Sequence, residues 1–437
     1  MSIDNNNRTR KGPPTNYQHS IKFIPELCKG CTHCVRACPT GAIRVRDGIA
    51  EIIKDKCIAC GECIRVCPNQ AITTNSDELS KIEDYSYKIA VPTSPYFGQF
   101  GEETELGVLV EALHRIGFDE VYEEAMGAEI LTYAIRKEID TKDISGPLIS
   151  TTCPAIIRLI QVKYPSLTEN LLPLCPPAEV TAQLALKEKQ DLERDGLGIF
   201  SIAPCPAQVT AGRDPVGRST SAFDGIISIE EVYNEVMGLL PDLQSSSKFR
   251  ATKRGLSWGR REGEIEAIDQ DHRIIAVDGV RNVHRIFQDL EEGRLQEVGY
   301  MEARSCVEGC AGGVLTSEDP PITKYRLQNM GESELEDFRY GPEEILEMYE
   351  RNLFTLDQDI EPRPTLHLHD DLQKAISIME KAQKVMDRLP GLDCAACGSP
   401  TCQAFAEDVA KGEISISKCP LLELDKSDTA MADSQES

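Results

Sequence analysis

The sequence predicts an α/β protein: a central domain of parallel sheets and helices, preceded by one small cysteine-rich domain and followed by another. Three observations carry this. From about Tyr87 to Phe354, short apolar runs alternate with longer stretches that are apolar at helical spacing, the pattern of strands and crossover helices. The seventeen cysteines fall into three groups: eight from Cys28 to Cys67, five from Cys153 to Cys310 and four from Cys394 to Cys419. Polar stretches separate the groups, beginning with TTNSDELSK at 73–81. The expected organisation is therefore a disordered segment over 1–20, a first cysteine domain over 21–80, the α/β core over 85–360, a small helical cysteine domain over 370–424 and an acidic tail over 425–437.

Charge narrows the partners. Lys and Arg number 47 against 72 Asp and Glu, a formal charge of −25. Such a chain is expected to bind neither nucleic acid nor an anionic membrane, both of which need a basic face, and suits protein partners with basic patches. No apolar run reaches the length of a membrane span, and MSIDNNNRTRKGPP lacks the apolar segment of a signal peptide, so the expected location is cytoplasmic. In a cytosolic chain of 437 residues, an odd number of cysteines reads as metal ligation and not as disulfides.

In the first domain, Cys28-x2-Cys31-x2-Cys34-x3-Cys38-Pro39 is followed by Cys57-x2-Cys60-x2-Cys63-x3-Cys67-Pro68. This repeat is the two-cluster ferredoxin run, in which the fourth cysteine of each half ligates the other cluster. One [4Fe–4S] cubane is thus expected on Cys28, Cys31, Cys34 and Cys67, and a second on Cys57, Cys60, Cys63 and Cys38. Paired zinc knuckles would explain the CxxC spacing but neither the third cysteine nor the Cys-Pro. Gly30 and Gly61 permit the tight loops, and His33 is expected at the surface.

In the core, IAVPT at 89–93, LIST at 148–151 and GLGIFSIAP at 196–204 read as buried parallel strands, with helices over ELGVLVEALHRIGF and VTAQLALKEKQ. Cysteines follow these strands in STTCPA (Cys153), APCPAQ (Cys205) and EARSCVEGCAGG (Cys306 and Cys310). Sites at strand C-termini lie in the crevice of an open sheet, and the four cysteines by themselves predict a third cubane. The polar, basic segment from Ser245 to Glu266 reads as a surface excursion or hairpin carrying Trp258.

These loops, the preceding cysteine repeat, MGAEILTYAIRKE at 126–138 and VDGVRNVHRIFQDLEEGRLQEVGYMEA together resemble the large subunit of [FeFe]-hydrogenases, from Cys28 to about Leu315. The resemblance implies that Cys153, Cys205, Cys306 and Cys310 hold the cubane of an H-cluster, with Cys310 shared with a diiron subsite. Around them the chain departs from the family. The proton-delivering cysteine is Thr152, the lysine beside the diiron unit is Gln208, and the two loop methionines are Ala203 and Arg304. The tryptophan is Ile156, and the acidic relay pair reads Ala134-Ile135 with Glu138 the only nearby carboxylate. Cofactor-facing positions are thus Thr152, Gln208 and Arg304. With its surroundings so changed, the site is expected to keep the cubane, with diiron less favoured and little H2 turnover. Cys175 reads as a buried inert thiol; the alternative is a redox-active or ligating thiol beside the third cubane.

The last group, Cys394-x2-Cys397-Gly398-x3-Cys402 with Cys419-Pro420, resembles the small single-cubane domain of corrinoid iron–sulfur proteins, which also follows the core in sensory hydrogenases. Four thiolates could instead hold zinc. Ahead of it, Leu372, Ala375, Ile376, Met379, Ala382, Met386 and Leu389 share one helical face. A sensory relative would carry its output domain next; here output would pass to a separate protein. His367 and His369 are not expected to bind metal, and neither a P-loop nor a dinucleotide fingerprint is present. The functional expectation is an electron-transfer or redox- or H2-sensing protein with four [4Fe–4S] clusters. Its partners would be a redox protein (a ferredoxin or flavoprotein) and, for a sensor, a signalling protein. The alternatives are a sensory hydrogenase with a diiron H-cluster and low activity, and a cluster-assembly scaffold.

Overall fold

The computed structural model describes residues 17–141, 145–244, 246–268, 273–330, 338–363, 368 and 371–422. The expectations for most of the N-terminal segment, the acidic tail, His367 and His369 lie outside the described residues.

The first domain is built on two antiparallel pairs. Strand β1 (Ile21–Phe23) lies against β4 (Ile72–Thr74), and β2 (Ile43–Arg46) against β3 (Ile49–Ile52). The β2–β3 turn is Asp47-Gly48, both at positive φ, as a two-residue hairpin requires. Two short helices, His33–Ala37 and Glu62–Arg65, each start after a left-handed residue, Thr32 and Gly61. His33 is exposed, as expected. Ile21, Val35, Ile43, Ala50 and Ile72 close the interior together with Cys34, Cys57 and Cys63.

The core holds two parallel sheets. One has the order β6 (Glu120–Val121), β5 (Tyr87–Pro92), β8 (Leu197–Ala203), β9 (Gly225–Ser228). The other has the order β10 (Ile274–Asp278), β11 (Tyr300–Arg304), β7 (Leu148–Ile149). Strand β8 is buried at every position and β5 over its last four, the mark of a sheet covered on both faces. All three strands read from the sequence are present and parallel, as are the helices Leu106–Ile116 and Pro177–Glu188.

One reading is corrected. The segment after Ser245 is not a surface hairpin: it forms two short helices, Lys253–Ser257 and Gly263–Ile268, that pack inward. Trp258 is 3 % exposed, among Ile135, Leu131 and Ile268. The polar composition misled because its charges are paired inside: Arg254 reaches Glu129, Arg304 reaches Glu264, and Glu302 accepts the backbone N–H groups of Glu262 and Ile265.

In the last domain, helix Leu372–Met386 packs on helix Cys402–Ala410; Asp371 caps the first and Thr401 the second. The apolar face expected over 372–389 is split: Ala382 is buried, whereas Leu372, Ile376 and Met379 are exposed. The domain sits on the first one. Val45 N donates to Gly398 O at 2.8 Å, and Asp408 accepts from Arg44, Arg46 and Ser399. Among the described residues no helix is long and apolar enough to cross a membrane.

Candidate metal centres

The structure gathers sixteen of the seventeen cysteines into four quartets, each lining its own small pocket. Cys28, Cys31, Cys34 and Cys67 line one of about 320 Å³, with Phe23, Val45 and Ile72. Cys38, Cys57, Cys60 and Cys63 line a second of about 340 Å³. The interleaved grouping follows from the fold: each half supplies two cysteines from a loop and a third from the first turn of the short helix, and its fourth lies beyond that helix, facing the other half. Those fourth thiols have equivalent partners. Cys38 Sγ accepts from Ala42 N at 3.2 Å and Cys67 Sγ from Ala71 N at 3.3 Å. Such N–H···S contacts tune a bound cluster.

The third pocket, about 380 Å³, lies where β7, β8 and β11 end, and is lined by Cys153, Cys205, Cys306 and Cys310. Cys153 and Cys205 are the N-cap residues of helices Pro154–Lys163 and Pro206–Arg213. The following proline suits the first helical position, where no N–H is needed, and the positive helix ends face the thiols. Cys306 follows β11, and Cys310 lies in the turn Gly309–Gly312. Burial and neighbouring cysteines push the Cys205, Cys306 and Cys310 thiols up, Cys306 to about 12 and Cys205 well above the usual range. Thiols that hold their protons so firmly become ligands only when a metal displaces the proton. The fourth pocket, about 310 Å³, is lined by Cys394, Cys397, Cys402 and Cys419. Among the described residues no three His, Cys, Asp or Glu side chains close on the position of a single ion. Each quartet surrounds a space instead, an arrangement that suits one thiolate on each of the four irons of a cubane.

The pockets are serial. Cys60 lines both the second and the third. Cys34, a ligand candidate of the first, shares one apolar core with Cys57 and Cys63 of the second and with Ala395 of the fourth. Gly61 sits at the first–core junction at φ +82°, where a Cβ would lie 2.6 Å from Val314. Gly398 sits at the first–last junction at φ +79°, where a Cβ would lie 2.1 Å from the Val45 carbonyl oxygen. Both need glycine for conformation and for approach.

Thr152, Gln208 and Arg304 all line the third pocket. Thr152 Oγ1 accepts from Ser150 Oγ at 3.1 Å. Arg304 is 1 % exposed, pairs with Glu264 at 2.6 Å and Glu302 at 3.5 Å, and places Nη1 3.9 Å from Cys310 Sγ. Glu138, expected as the nearby carboxylate, instead accepts from Tyr349. The acids around Arg304 are Glu264, Glu302 and, within electrostatic reach, Glu124. Sequence reading missed them because they come from three separate elements. Cys175 does not line this pocket. It is buried beside Arg218 Nη1 at 3.3 Å and donates to Thr355 O at 3.4 Å, so the redox-thiol alternative lacks its neighbour.

Comparison with known proteins finds three family matches along the chain. Residues 20–68 match the 4Fe-4S dicluster domain, residues 87–245 the C-terminal domain of the iron-only hydrogenase large subunit, and residues 389–421 a putative Fe-S cluster family. A curated relative is the NADP-reducing hydrogenase subunit HndD of Solidesulfovibrio fructosivorans, 23 % identical over 208 residues. That match covers 43 % of this chain, which spans about a third (31 %) of the relative's length. Among solved structures, a variant of the [FeFe]-hydrogenase of Chlamydomonas reinhardtii is similar with TM-score 0.50 and 16 % identity, over 63 % of this chain and 95 % of that one. Another variant of it gives 0.49 and 16 %, over 65 % and 98 %. At such identities the likeness is one of fold. With a dicluster domain ahead of a hydrogenase-like α/β core and an Fe–S domain behind it, the chain is an [FeFe]-hydrogenase-like iron–sulfur protein.

Proposed function

We propose that the chain is an electron relay of four [4Fe–4S] clusters with little or no H2 turnover. The carrying observation is the serial arrangement of four cysteine quartets, with Cys60 forming a wall common to two pockets. Ligands would be Cys28, Cys31, Cys34 and Cys67; Cys57, Cys60, Cys63 and Cys38; Cys153, Cys205, Cys306 and Cys310; and Cys394, Cys397, Cys402 and Cys419. The clusters supply one-electron transfer. The chain supplies spacing, exclusion of water and charge: Arg363 donates to the Cys57 carbonyl at 2.9 Å, and Arg65 to that of Gly312 at 2.5 Å, bracing the first domain against the core. Cys31 and Cys394 are exposed, giving an outside carrier two points of access.

Proton chemistry is poorly served at the inner end of the series. Thr152 has no acidic proton near neutral pH, and Ala134 and Ile135 are buried apolar positions. This favours a wire or redox sensor over a working hydrogenase. In this reading the chain works in a reducing cytoplasm, exchanges electrons with a ferredoxin or flavoprotein, and hands any signal to a separate protein.

The test is the metal content of anaerobically purified protein: about sixteen irons and as many sulfides per chain. Serine substitution within one quartet should remove about four of each. A value near eight irons, with zinc making up the remainder, would overturn the reading.

A further inference from the structure

We propose that Arg304 is the residue that decides which cofactor the third pocket accepts: its guanidinium caps Cys310 and closes the pocket to any metal unit beyond the cubane. This rests on the third pocket holding a cubane, as in the relay above. The hydrogenase resemblance makes Cys310 the sulfur shared with a diiron unit, and that unit does not fit the residues present.

The geometry is specific. Arg304 is the fifth residue of β11, two residues before Cys306, and its side chain turns back toward Cys310, with Nη1 3.9 Å from Sγ. It is not free to swing away. Nη2 is held by Glu264 at 2.6 Å, Glu264 also accepts from the Tyr300 hydroxyl, and Glu302 flanks Nε at 3.5 Å. Arg304, Glu264 and Glu302 are each at most 1 % exposed. A cation in so dry a setting stays beside its anion, because leaving it would strand the guanidinium and the Glu264 carboxylate. Glu302 is itself fixed by the N–H groups of Glu262 and Ile265.

The inward-folded segment after Ser245 acquires a purpose here. Helix Gly263–Ile268 delivers Glu264 to the arginine and the Ile265 N–H to Glu302. A compact uncharged side chain in place of Arg304 would leave Cys310 Sγ open on that side. With arginine there, the sulfur faces a hydrogen-bond donor that lowers its ability to bridge a second metal. Thr152, tied to Ser150, and Gln208, whose Oε1 has no hydrogen-bond partner among the described residues, line the same pocket and offer no replacement for a lysine or thiol.

The experiment uses full-length, cluster-loaded protein incubated anaerobically with a synthetic diiron dithiolate complex bearing CO and CN−. After the excess is removed, infrared spectra and iron content are recorded. Wild type should show no CO or CN− bands and about sixteen irons. R304M/E264Q, which removes cation and anion together, should retain the bands and gain the iron of one diiron unit. R304Q/E264Q, which keeps amide hydrogen bonds at both positions, serves if the first pair does not fold. Bands on wild type with about sixteen irons before incubation would overturn the cap while leaving the relay intact. Refusal of diiron by both folded double variants would overturn the assignment of Arg304. About twelve irons in untreated wild type, with no cubane signal assignable to the third quartet, would overturn the relay and the cap together.

Discussion

Asp408 is where the last domain is held to the first, and its removal has a calculable consequence. Its carboxylate accepts from Arg44 Nε at 2.6 Å and Nη2 at 3.3 Å, from Arg46, and from Ser399 Oγ at 3.0 Å. Asp408 and Arg44 are 4 % and 5 % exposed, so this is a buried pair; the Arg46 side chain is 19 % exposed. Asp408→Asn leaves the Arg44 charge without its counter-ion, though still donating to the Gly41 and Ile43 carbonyls, and breaking such a pair costs about 3–5 kcal/mol. The Arg46 contribution, closer to solvent, is about 1 kcal/mol or less. At about 1.4 kcal/mol per factor of ten, docking should weaken at least about a hundredfold. The fourth quartet should still bind its cluster, since Asp408 contacts no cysteine. The assay is limited proteolysis between the core and helix Leu372–Met386, with the magnetic interaction between reduced clusters read in parallel: faster cleavage and a lost interaction are expected at unchanged iron content. A cycle with Arg44→Met should show strong coupling between the two changes. Unchanged proteolysis and unchanged spectra in D408N would refute the claim that this ion pair holds the domains together.

Three further outcomes are expected. Glu123 is fully buried, with Oε1 accepting from Arg250 N and Oε2 unpartnered, and burial pushes its carboxyl up to about 7. Below the unfolded value both states hold the proton. Between that value and about 7 only the folded state does, so stability falls as pH rises through this window, by about 3 kcal/mol; urea midpoints of Glu123→Gln should lack the decline, and parallel curves would count against it. Gly61→Ala should slow electron transfer between the second and third quartets while leaving iron content intact, because the added Cβ meets Val314 at 2.6 Å; stopped-flow reduction resolved by cluster would reveal an unaffected rate if this contact is unimportant. Cys175→Ala should keep about sixteen irons, since Cys175 packs with Arg218 and Thr355 outside every quartet; loss of about four would make it a ligand.

The cysteine spacing alone marked most of the candidate ligands. In the first domain three cysteines of each candidate quartet lie within a few residues, so those triplets are a local property of the chain, legible at 28–34 and 57–63. Parallel strands such as 89–93 and 196–204 were equally legible, because burial on both faces leaves an uninterrupted apolar run. What the tertiary structure decided is everything that depends on charges meeting across long separations. The segment after Ser245 reads as surface because it is polar, yet Glu264 is buried against Arg304 and Arg254 reaches in to the buried Glu129, residues more than thirty positions away. The same holds for Arg44 with Asp408, 364 residues apart, which docks a domain that sequence could describe only as a separate block. Periodicity also gave helix Leu372–Met386 one apolar face, whereas packing buries Ala382 and leaves Leu372 and Met379 in solvent. Hydrophobic pattern and ligand spacing are written within a few turns of chain; the partner of a buried ion is not, since any of 72 acidic residues could answer a given arginine until the fold brings one to it.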